Sequence, residues 1–373
     1  MTTAREYDTD ALLAAILRKE AVSPHVLAAY DPQTLYDEAS QHDVVPLIAD
    51  RLAQLEEVPA PLRALLHEEA RRSVVMDMAR EGELKRLLAA LDGGGLGTIL
   101  IKGSHLAYSH YPRPDLRSRI DTDVLIPIGA REATDDLLTH RLGYVASVKV
   151  SGDLTATQKL YVTYKDGVPV HALDVHWRLS SPQVFANVLS YDELAASAVA
   201  LPRIGPTARG PSDVHALLIA CVHRVAHHLD AVRFKWLYDI HLIASRFTQA
   251  QWDEFASLAV ERRVAMVCQR SLERTRSWFR TAIPSRLWSD PGFSDARDRE
   301  LSAAYLEPRA QLSMVLDDLR ALPTWRDRAR LAGEHVFPSA TYMRTMYAPN
   351  SVAPLPILYA VRFFRGAKKW VGL

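Results

Sequence analysis

Two carboxylates one residue apart, Asp121 and Asp123, are the residues of this sequence best placed to do chemistry. The aliphatic run 124–126 that follows favours a strand. Because side chains alternate along a strand, both carboxylates should lie on one face. Two like charges so close would raise one pKa unless a cation neutralises them, and oxygen ligands suit Mg²⁺ or Mn²⁺. The alternative is a pair of solvated charges at a strand end.

A short apolar strand upstream leads into a Gly-Ser turn that could hold phosphate. Within residues 97–107, Gly103 lets a ligand approach the backbone closely, and Ser104 offers a hydroxyl and a helix N-cap. Free N–H groups at the start of a helix form a site suited to phosphate. Lys102 directly precedes the glycine, so its side chain either reaches the phosphate or points to solvent.

A third carboxylate, Asp174, lies downstream in another alternating segment, residues 168–177. A phosphate site, then Asp-x-Asp, then a later single Asp is the order needed for metal-dependent nucleotidyl transfer. In that chemistry two cations clamp the attacking and leaving oxygens of an in-line displacement. His176 shares the strand face of Asp174. It either touches substrate and supports a metal ligand, or is a structural histidine hydrogen-bonded in the sheet.

These segments resemble the DNA polymerase β-type nucleotidyltransferase superfamily and, more narrowly, the bacterial family of uncharacterised nucleotidyltransferases called NTP_transf_5. The combination is far more specific than any single motif and spans most of the chain. The family's natural acceptors are largely undefined, so the resemblance does not name one. The matching segments, in family order, are 42–47, 100–104, 111–112, 116–117, 121–126, 173–177, His223, 235–239 and 337–339.

The resemblance implies a role for each residue of the core. Asp121 and Asp123 would hold both metals, and Asp174 would hold the catalytic one and help to deprotonate the acceptor hydroxyl. Gly103 and Ser104 would seat the β- and γ-phosphates of an NTP. The acceptor oxygen would attack the α-phosphorus, and pyrophosphate would leave.

Two residues depart from the family pattern. Ile120 stands where the family prefers a small residue, and its side chain could crowd the phosphate site. Thr122 replaces an aliphatic residue between the carboxylates, and strand alternation should turn it away from the metals. Neither change removes a ligand, so we expect an active enzyme.

Several other charged residues each allow two interpretations. Arg117 either neutralises charge at the site or supports the structure of the cleft. Lys235 and Asp239 are four residues apart on a predicted helix, where they could form a surface salt bridge. The alternative is that both contact substrate or phosphate together with Arg233 and His223, which also recur in the family pattern.

His223 and His227 have the spacing of a zinc-binding pair on a helix. However, Arg224 follows the first histidine, where a metalloprotease has glutamate. We therefore expect histidines at the surface or in a cleft rather than a zinc site.

Length and composition indicate a globular protein of the cytoplasm. The 373 residues suffice for two or three packed units, and 48% hydrophobic with 24% charged residues is ordinary. A net charge of +1 gives no global basic field for nucleic acid. Cys221 and Cys268 alone argue against a disulfide framework. Neither a secretory signal nor an apolar run of about 18 residues is evident.

The hydrophobic periodicity divides the chain into a helical region (1–95), a region of short strands and helices (96–200) and a second helical region (201–373). The resemblance implies that the middle region is the nucleotidyltransferase core. We therefore predict an α+β fold with a small mixed sheet. Asp166-Gly167 predicts a two-residue hairpin, and Ser212 can cap the helix that follows a Gly- and Pro-rich loop. Strands are expected at 97–102, 122–127, 143–150, 158–165 and 168–178. A long helix after Pro61 should bury Leu62, Leu65, Leu66, Ala70, Val74, Val75, Met78, Leu84, Leu87 and Leu88.

The C-terminal residues combine cations with aromatic side chains and contain no acid after Glu334. A basic amphipathic helix here could lie on an anionic membrane or bind RNA. Alternatively, it packs its aromatic face on the domain. The residues concerned are Arg344, Arg362, Arg365, Lys368 and Lys369, with Tyr359, Phe363, Phe364 and Trp370 between them.

We therefore expect an Mg²⁺- or Mn²⁺-dependent enzyme that moves an NMP from ATP or another NTP to a hydroxyl of a small molecule, sugar or peptide. One alternative keeps the chemistry and makes a tRNA 3′ end the acceptor, as in nucleotidyltransferase toxins. The other is a nucleotide-binding or scaffold protein whose transferase site is inactive. The near-neutral charge favours the small-molecule, sugar or peptide acceptor. The basic C-terminus favours the tRNA acceptor, and Ile120 favours the inactive protein.

Overall fold

A computed structural model describes residues 8–55, 57–147, 152–294, 300–308, 310–349 and 353–371. Helices dominate the N-terminal region, as predicted. Asp8, Ser23 and Asp31 each begin a helix by accepting a backbone N–H with the side chain, which satisfies an amide that has no partner within the helix. The five helices are α1 (Thr9–Leu17), α2 (Pro24–Ala28), α3 (Pro32–Gln41), α4 (Val45–Leu52) and α5 (Ala60–Gly93).

A five-stranded mixed sheet forms the centre of the fold, which confirms the predicted α+β class. The strand order is β1-β2-β5-β4-β3, and only the β2–β5 pair is parallel. The elements are β1 (Ile99–Leu100), α6 (Lys102–Ser109), β2 (Thr122–Leu125), α7 (Arg131–Asp136), β3 (Val145–Ala146), β4 (Gln158–Lys165) and β5 (Val168–His176).

The hairpin between β4 and β5 has the predicted two-residue turn. Asp166 and Gly167 adopt φ values of +52° and +78°, and Lys165 pairs with Val168 across the turn. Positive φ at both positions is the geometry of the type I′ turn that suits twisted antiparallel strands. The first and third strands are shorter than predicted, and residues 148–150 of the third prediction lie outside the described residues.

The chain after the sheet is largely helical, as predicted, and Ser212 caps the first long helix by accepting the N–H of His215. A two-stranded sheet precedes it. The elements are α8 (Gln183–Ala186), α9 (Tyr191–Ala196), β6 (Val199–Ala200), β7 (Arg209–Gly210), α10 (Asp213–His228), α11 (Phe234–Ala244), α12 (Gln249–Glu261), α13 (Ala265–Phe279), α14 (Ser285–Ser289), α15 (Pro291–Ser294), α16 (Gln311–Ala321), α17 (Trp325–Val336), α18 (Ala340–Tyr347) and α19 (Leu355–Val371).

Helix α5 joins two hydrophobic cores. Leu62 and Leu66 near its start pack with the N-terminal helices and α10–α13, whereas Leu84 and Leu87 near its end pack beneath the sheet. Its 34 residues span about 51 Å, so the middle bridges the gap between the cores.

The predicted apolar face of α5 is therefore wrong in its central part. Val75 and Met78 are 64% and 69% exposed, and Val74 is also exposed. The polar residue Asp77 is buried there instead, in an ion pair with Arg119. Helical periodicity locates an apolar stripe but does not reveal where a long helix leaves one core before reaching the next.

The C-terminal helices form a smaller cluster in which α19 packs on α18. Leu358 is buried with Met343, and the Tyr359 hydroxyl donates to the carbonyl of Pro338. The alternative that the aromatic face packs on the domain is therefore only partly right, because Phe363 and Phe364 are exposed. Side chains from residue 366 onward, including Lys368, Lys369 and Trp370, lie outside the described residues. Within the described ranges, no helix is both long and apolar enough to span a bilayer.

Candidate active site

The parallel pairing of β2 with β5 places two of the predicted carboxylates side by side. Asp123 is directly opposite Asp174 in the register of the two strands. Thr122 is buried on the other face of β2, with its hydroxyl 2.9 Å from Nε2 of His171. Alternation along β2 therefore has the predicted sense, and Thr122 points away from the acidic face.

Lys102, Asp123 and His176 form a close triangle at the carboxylate pair. Asp123 Oδ1 lies 2.9 Å from both Lys102 Nζ and His176 Nε2, and those two nitrogens are 3.1 Å apart. Nε2 of a histidine cannot donate to the carboxylate and accept from the ammonium at once, so one contact of the triangle is always unfavourable. In the protein alone Lys102 therefore points to Asp123 and not to solvent. Its contact with phosphate stays a prediction.

The charge state of this triangle follows from burial and close contacts. Burial opposes ionisation of Asp123, but Lys102 and His176 outweigh it and hold the pKa of this carboxyl below its usual range. Burial and the Lys102 ammonium lower the pKa of His176, whose side chain is fully inaccessible. We therefore treat Asp123 as ionised and His176 as neutral near pH 7.

Asp123, Asp174 and His176 could hold a divalent cation, since each offers a ligand atom within 4.8 Å of the others. Gln158 donates to Asp174 Oδ2 at 2.6 Å, whereas Asp174 Oδ1 is buried and has no hydrogen-bond partner among the described residues. A buried carboxylate oxygen without a donor costs free energy, and a cation would remove that cost. The carboxylates favour Mg²⁺ or Mn²⁺, while the imidazole also suits softer metals.

Asp121 faces the same cleft but stands outside this tightest group. Burial, followed by the charges of Asp123 and Asp174, raises the pKa of Asp121 to about 6. The metal triad implied by the resemblance, Asp121 with Asp123 and Asp174, therefore differs from the group whose ligand atoms converge here. His176 takes the third place in that group.

The candidate phosphate site lies at the start of α6, next to β2. Lys102 begins this helix with φ +52°. The N-cap is Ile101, so the prediction that Ser104 is the N-cap is wrong. The buried Ser104 hydroxyl instead accepts the backbone N–H of Asp123 at 2.8 Å. Gly103 faces Arg117, and a Cβ at this position would lie 3.3 Å from the guanidinium. This glycine therefore permits close packing of α6 against Arg117.

A buried ion pair closes one side of the cleft. Nε and Nη2 of Arg117 donate to both carboxylate oxygens of Asp239, at 2.8 and 2.6 Å, and the Tyr111 hydroxyl donates to the same carboxylate at 2.8 Å. Burial would lower the pKa of Arg117, but Asp239 and Tyr111 raise it above its usual range. These contacts favour the interpretation in which Arg117 supports the cleft.

Lys235 pairs with Asp43 rather than with Asp239, so the predicted surface salt bridge is wrong. Lys235 Nζ lies 2.9 Å from Asp43 Oδ2, and Arg233 Nη1 lies 2.8 Å from the same oxygen. Both residues of the i, i+4 pair are turned into the protein, and each meets an opposite charge from a distant segment. Burial lowers the pKa of Lys235, with Arg117 adding to the effect and Asp43 opposing it.

His42 fixes the backbone that carries these cations. Its Nδ1 accepts the N–H of Phe234 at 3.3 Å, its ring stacks on Phe234 at 4.0 Å, and its carbonyl accepts the N–H of Lys235. With Nδ1 used as an acceptor, Nε2 carries the proton and donates to Asp10 at 2.9 Å. In the acid–histidine group of Asp10, Glu38 and His42, the His42 ring is therefore already bound to Asp10.

Three histidines of α10 line the opposite wall. Nε2 atoms of His223 and His228 are 3.3 Å apart, His227 Nε2 lies 3.0 Å from the Ser180 hydroxyl, and His228 stacks on Trp236 at 3.7 Å. Burial is the main cause that lowers the pKa of each: well below the ordinary value for His223, to about 3 for His227 and to about 4 for His228. They are cleft residues, as expected, and neutral near pH 7.

One cavity of about 390 Å³ connects these elements. Ile120 is 87% exposed at its edge, so its side chain does not crowd the start of α6 as we had feared. His176 is not among the residues that line this cavity, and its Nε2 lies 2.9 Å from Asp123 Oδ1. The predicted site residues that line the cavity are Lys102, Gly103, Ser104, Arg117, Asp121, Asp123, Asp174, His223, Arg233, Lys235 and Asp239.

Comparison with known proteins bears directly on this arrangement. A family model described as "Uncharacterised nucleotidyltransferase", NTP_transf_5, matches residues 28–280. The chain belongs to this nucleotidyltransferase family. No curated protein matches it. The family match covers the sheet, the cavity and the helices α10 and α11, whereas the resemblance noted at 337–339 lies beyond it; there Ser339 caps α18.

The nucleotidyltransferase cleft also contains residues that the sequence did not single out. Gln158 touches Asp174, and Asp43 holds Lys235. Gln158 could have been found from the hairpin, because counting back from Asp166-Gly167 places it near His176 on the partner strand. Asp43 lies inside the segment 42–47 that resembles the family, but its partner Lys235 is 192 positions away. Trp236 lies inside the segment 235–239 that resembles the family, but nothing in the sequence indicates that it stacks on His228.

The raised pKa of Asp121 predicts how this nucleotidyltransferase responds to pH in the absence of metal. The folded protein binds the Asp121 proton more tightly than the unfolded chain, where the pKa is 3.8. The resulting stabilisation is complete below 3.8 and is lost as pH rises through about 6. Asp121→Asn should therefore stabilise the protein at pH 7 by about 3 kcal/mol.

The advantage of Asp121→Asn should shrink as pH falls through about 6 and disappear below 3.8, where Asp121 becomes protonated in both states. Thermal unfolding with a chelator, across this pH range, compares the variant with wild type. A variant less stable than wild type at pH 7, or an advantage independent of pH, would contradict the assignment.

Proposed function

We propose that this protein transfers an NMP from an NTP to a hydroxyl of a small molecule, sugar or peptide. The observation that carries the proposal is the convergence of Asp123, Asp174 and the start of α6 on one cavity, in a chain of nucleotidyltransferase ancestry. A carboxylate pair that can hold a cation, next to backbone amides that can hold phosphate, is the minimum this chemistry requires.

The cavity walls supply positive charge for a triphosphate. Lys235 and Arg233 approach from α11, and Lys102 approaches from α6. In the protein alone these cations are engaged by Asp43 and Asp123. A nucleotide carries about four negative charges, which exceeds what two cations beside three carboxylates can neutralise, so these side chains should turn towards phosphate.

Asp123, Asp174 and His176 would hold the divalent cation, with Asp121 as a further ligand beside them. A bound Mg²⁺ or Mn²⁺ would neutralise the phosphates and align the two reacting oxygens. Asp174 would also accept the proton of the acceptor hydroxyl as the hydroxyl oxygen bonds to the α-phosphorus. The bond between that phosphorus and the bridging oxygen to the β-phosphate breaks, and pyrophosphate leaves. Arg117 and Asp239 keep the cleft wall in place.

Label transfer tests this proposal most broadly. Wild-type protein is incubated with each α-labelled NTP, Mg²⁺ or Mn²⁺, and cell lysate, and labelled products are separated by size and by nuclease sensitivity. We expect a labelled small molecule, sugar or peptide, and a loss of at least about 100-fold in Asp174→Asn. Asp135→Asn, which changes a carboxylate outside the cavity, should keep the activity. If tRNA is the labelled product, the acceptor is tRNA and not a small molecule, sugar or peptide. If no product is labelled with any NTP, the proposal of nucleotidyl transfer is contradicted.

Lys235 provides a separate test of nucleotide binding. Lys235→Met should weaken the affinity for a non-hydrolysable NTP, measured by calorimetry with Mn²⁺ present, by about tenfold, the effect of one charge-assisted contact. Lys159 is also in an ion pair, with Asp135, but lies outside the cavity. Lys159→Met should therefore leave the affinity unchanged. Equal affinities for both variants and wild type would remove Lys235 from the nucleotide site.

A further inference from the structure

The outward face of α19 is apolar, the reverse of an ordinary surface helix. Ile357 is 55% exposed and Phe364 is 76% exposed, and the small residue Ala360 between them is exposed as well. Their positions i, i+3 and i+7 lie on one side of a helix, and Val361 at i+4 adds to the same stripe. Phe363, 72% exposed, widens it. We call this stripe the α19 face.

The packing of α19 on the protein uses its other side. Leu358 is 3% exposed against Met343, and the Tyr359 hydroxyl donates to Pro338 at 2.6 Å. The Phe337 ring meets the Tyr359 ring at 5.6 Å and is itself 65% exposed, so the apolar surface continues beyond the helix. The helix is thus held in place by one side while the α19 face stays outside.

The charges of the C-terminal segment that carries the α19 face have a single sign. From residue 335 to 373 the sequence has no Asp or Glu, although the whole chain balances 45 Lys and Arg against 44 Asp and Glu. Arg365 is exposed directly after Phe364, and Arg362 lies one turn earlier, partly buried. The five cations of this segment are Arg344, Arg362, Arg365, Lys368 and Lys369. A partner that accepts apolar side chains and carries negative charge fits this surface.

We propose that α19 docks on the surface of an anionic lipid bilayer, with the α19 face entering the headgroup boundary and the cations contacting lipid phosphates. An amphipathic helix with aromatic residues beside cations binds such a surface through apolar burial and electrostatic attraction together. This proposal does not depend on the nucleotidyltransferase chemistry.

Two other partners fit the surface less well. A second copy of the chain would bring two segments of the same positive charge together, which repel each other. RNA would satisfy the cations and stack on Phe363 or Phe364, but it offers nothing to Ile357, Ala360 and Val361. A bilayer satisfies both the aliphatic stripe and the charge.

Vesicle co-sedimentation of the full chain tests the proposal. Phosphatidylcholine vesicles with and without phosphatidylglycerol are compared at equal lipid, and the protein should sediment only with the anionic vesicles and be released by salt. Phe364→Glu and Arg365→Glu should each reduce binding by at least about tenfold. Met78→Glu, at a residue of similar exposure on α5, should bind like wild type. The melting temperature of each variant, measured in parallel, should match wild type.

Each other result would overturn the proposal. Wild-type protein that stays in the supernatant with anionic vesicles excludes lipid docking. A loss in Met78→Glu as large as that in Phe364→Glu would mean that α19 is not the contact. If Phe364→Glu instead abolishes tRNA retention or a dimer seen by sedimentation velocity, with vesicle binding unchanged, the face serves RNA or a second copy.

Discussion

The repulsion among three carboxylates is the constraint on which this site depends. Asp123 and Asp174 face one cavity because two adjacent strands carry them there in parallel register, and Asp121 lines the same cavity from the position just before β2. Such a cluster cannot be fully ionised without a compensating cation. In the protein alone, Lys102 supplies part of that charge to Asp123, while burial together with the two neighbouring carboxylates raises the pKa of Asp121. The strand geometry thus concentrates negative charge, which a divalent cation and basic side chains together can neutralise.

Buried ion pairs hold the surrounding elements at fixed positions. Arg117 and Asp239 link the segment before β2 to α11, Asp43 links Lys235 to the N-terminal helices, and Asp77 ties α5 to the chain just before Asp121. Such pairs contribute little net stability, but removing one partner leaves a buried charge and costs about 3–5 kcal/mol. Their effect here is to fix the cleft walls around the acidic strands. Segments far apart in sequence therefore act as one site.

The sequence was sufficient where local rules determine structure. Alternation places Thr122 opposite the carboxylates, Asp166-Gly167 sets the hairpin and thereby Gln158, and Ser212 caps α10, because each depends on neighbours in the chain. The partners of Lys102, Lys235 and Ser104 could not be predicted in this way. Each of these partners comes from a segment far away in the sequence. The distance and orientation between such segments produce no periodic pattern in the sequence. The exposed middle of α5 has the same origin, since periodicity does not encode the gap between two cores.

Mn²⁺ binding to Lys102→Met tests most directly whether Asp123 is shared between Lys102 and a cation. Without Lys102 the Asp123 carboxylate is buried without its ammonium, so the variant should melt below wild type in chelator. Mn²⁺ should then raise the melting temperature of the variant more than that of wild type. The variant should bind this ion at least about tenfold more tightly than wild type, because a competing positive charge is gone. Calorimetric titration with Mn²⁺ in the absence of nucleotide measures this affinity. Equal or weaker binding than wild type would mean that the cation does not compete with Lys102 at Asp123, and would contradict the account.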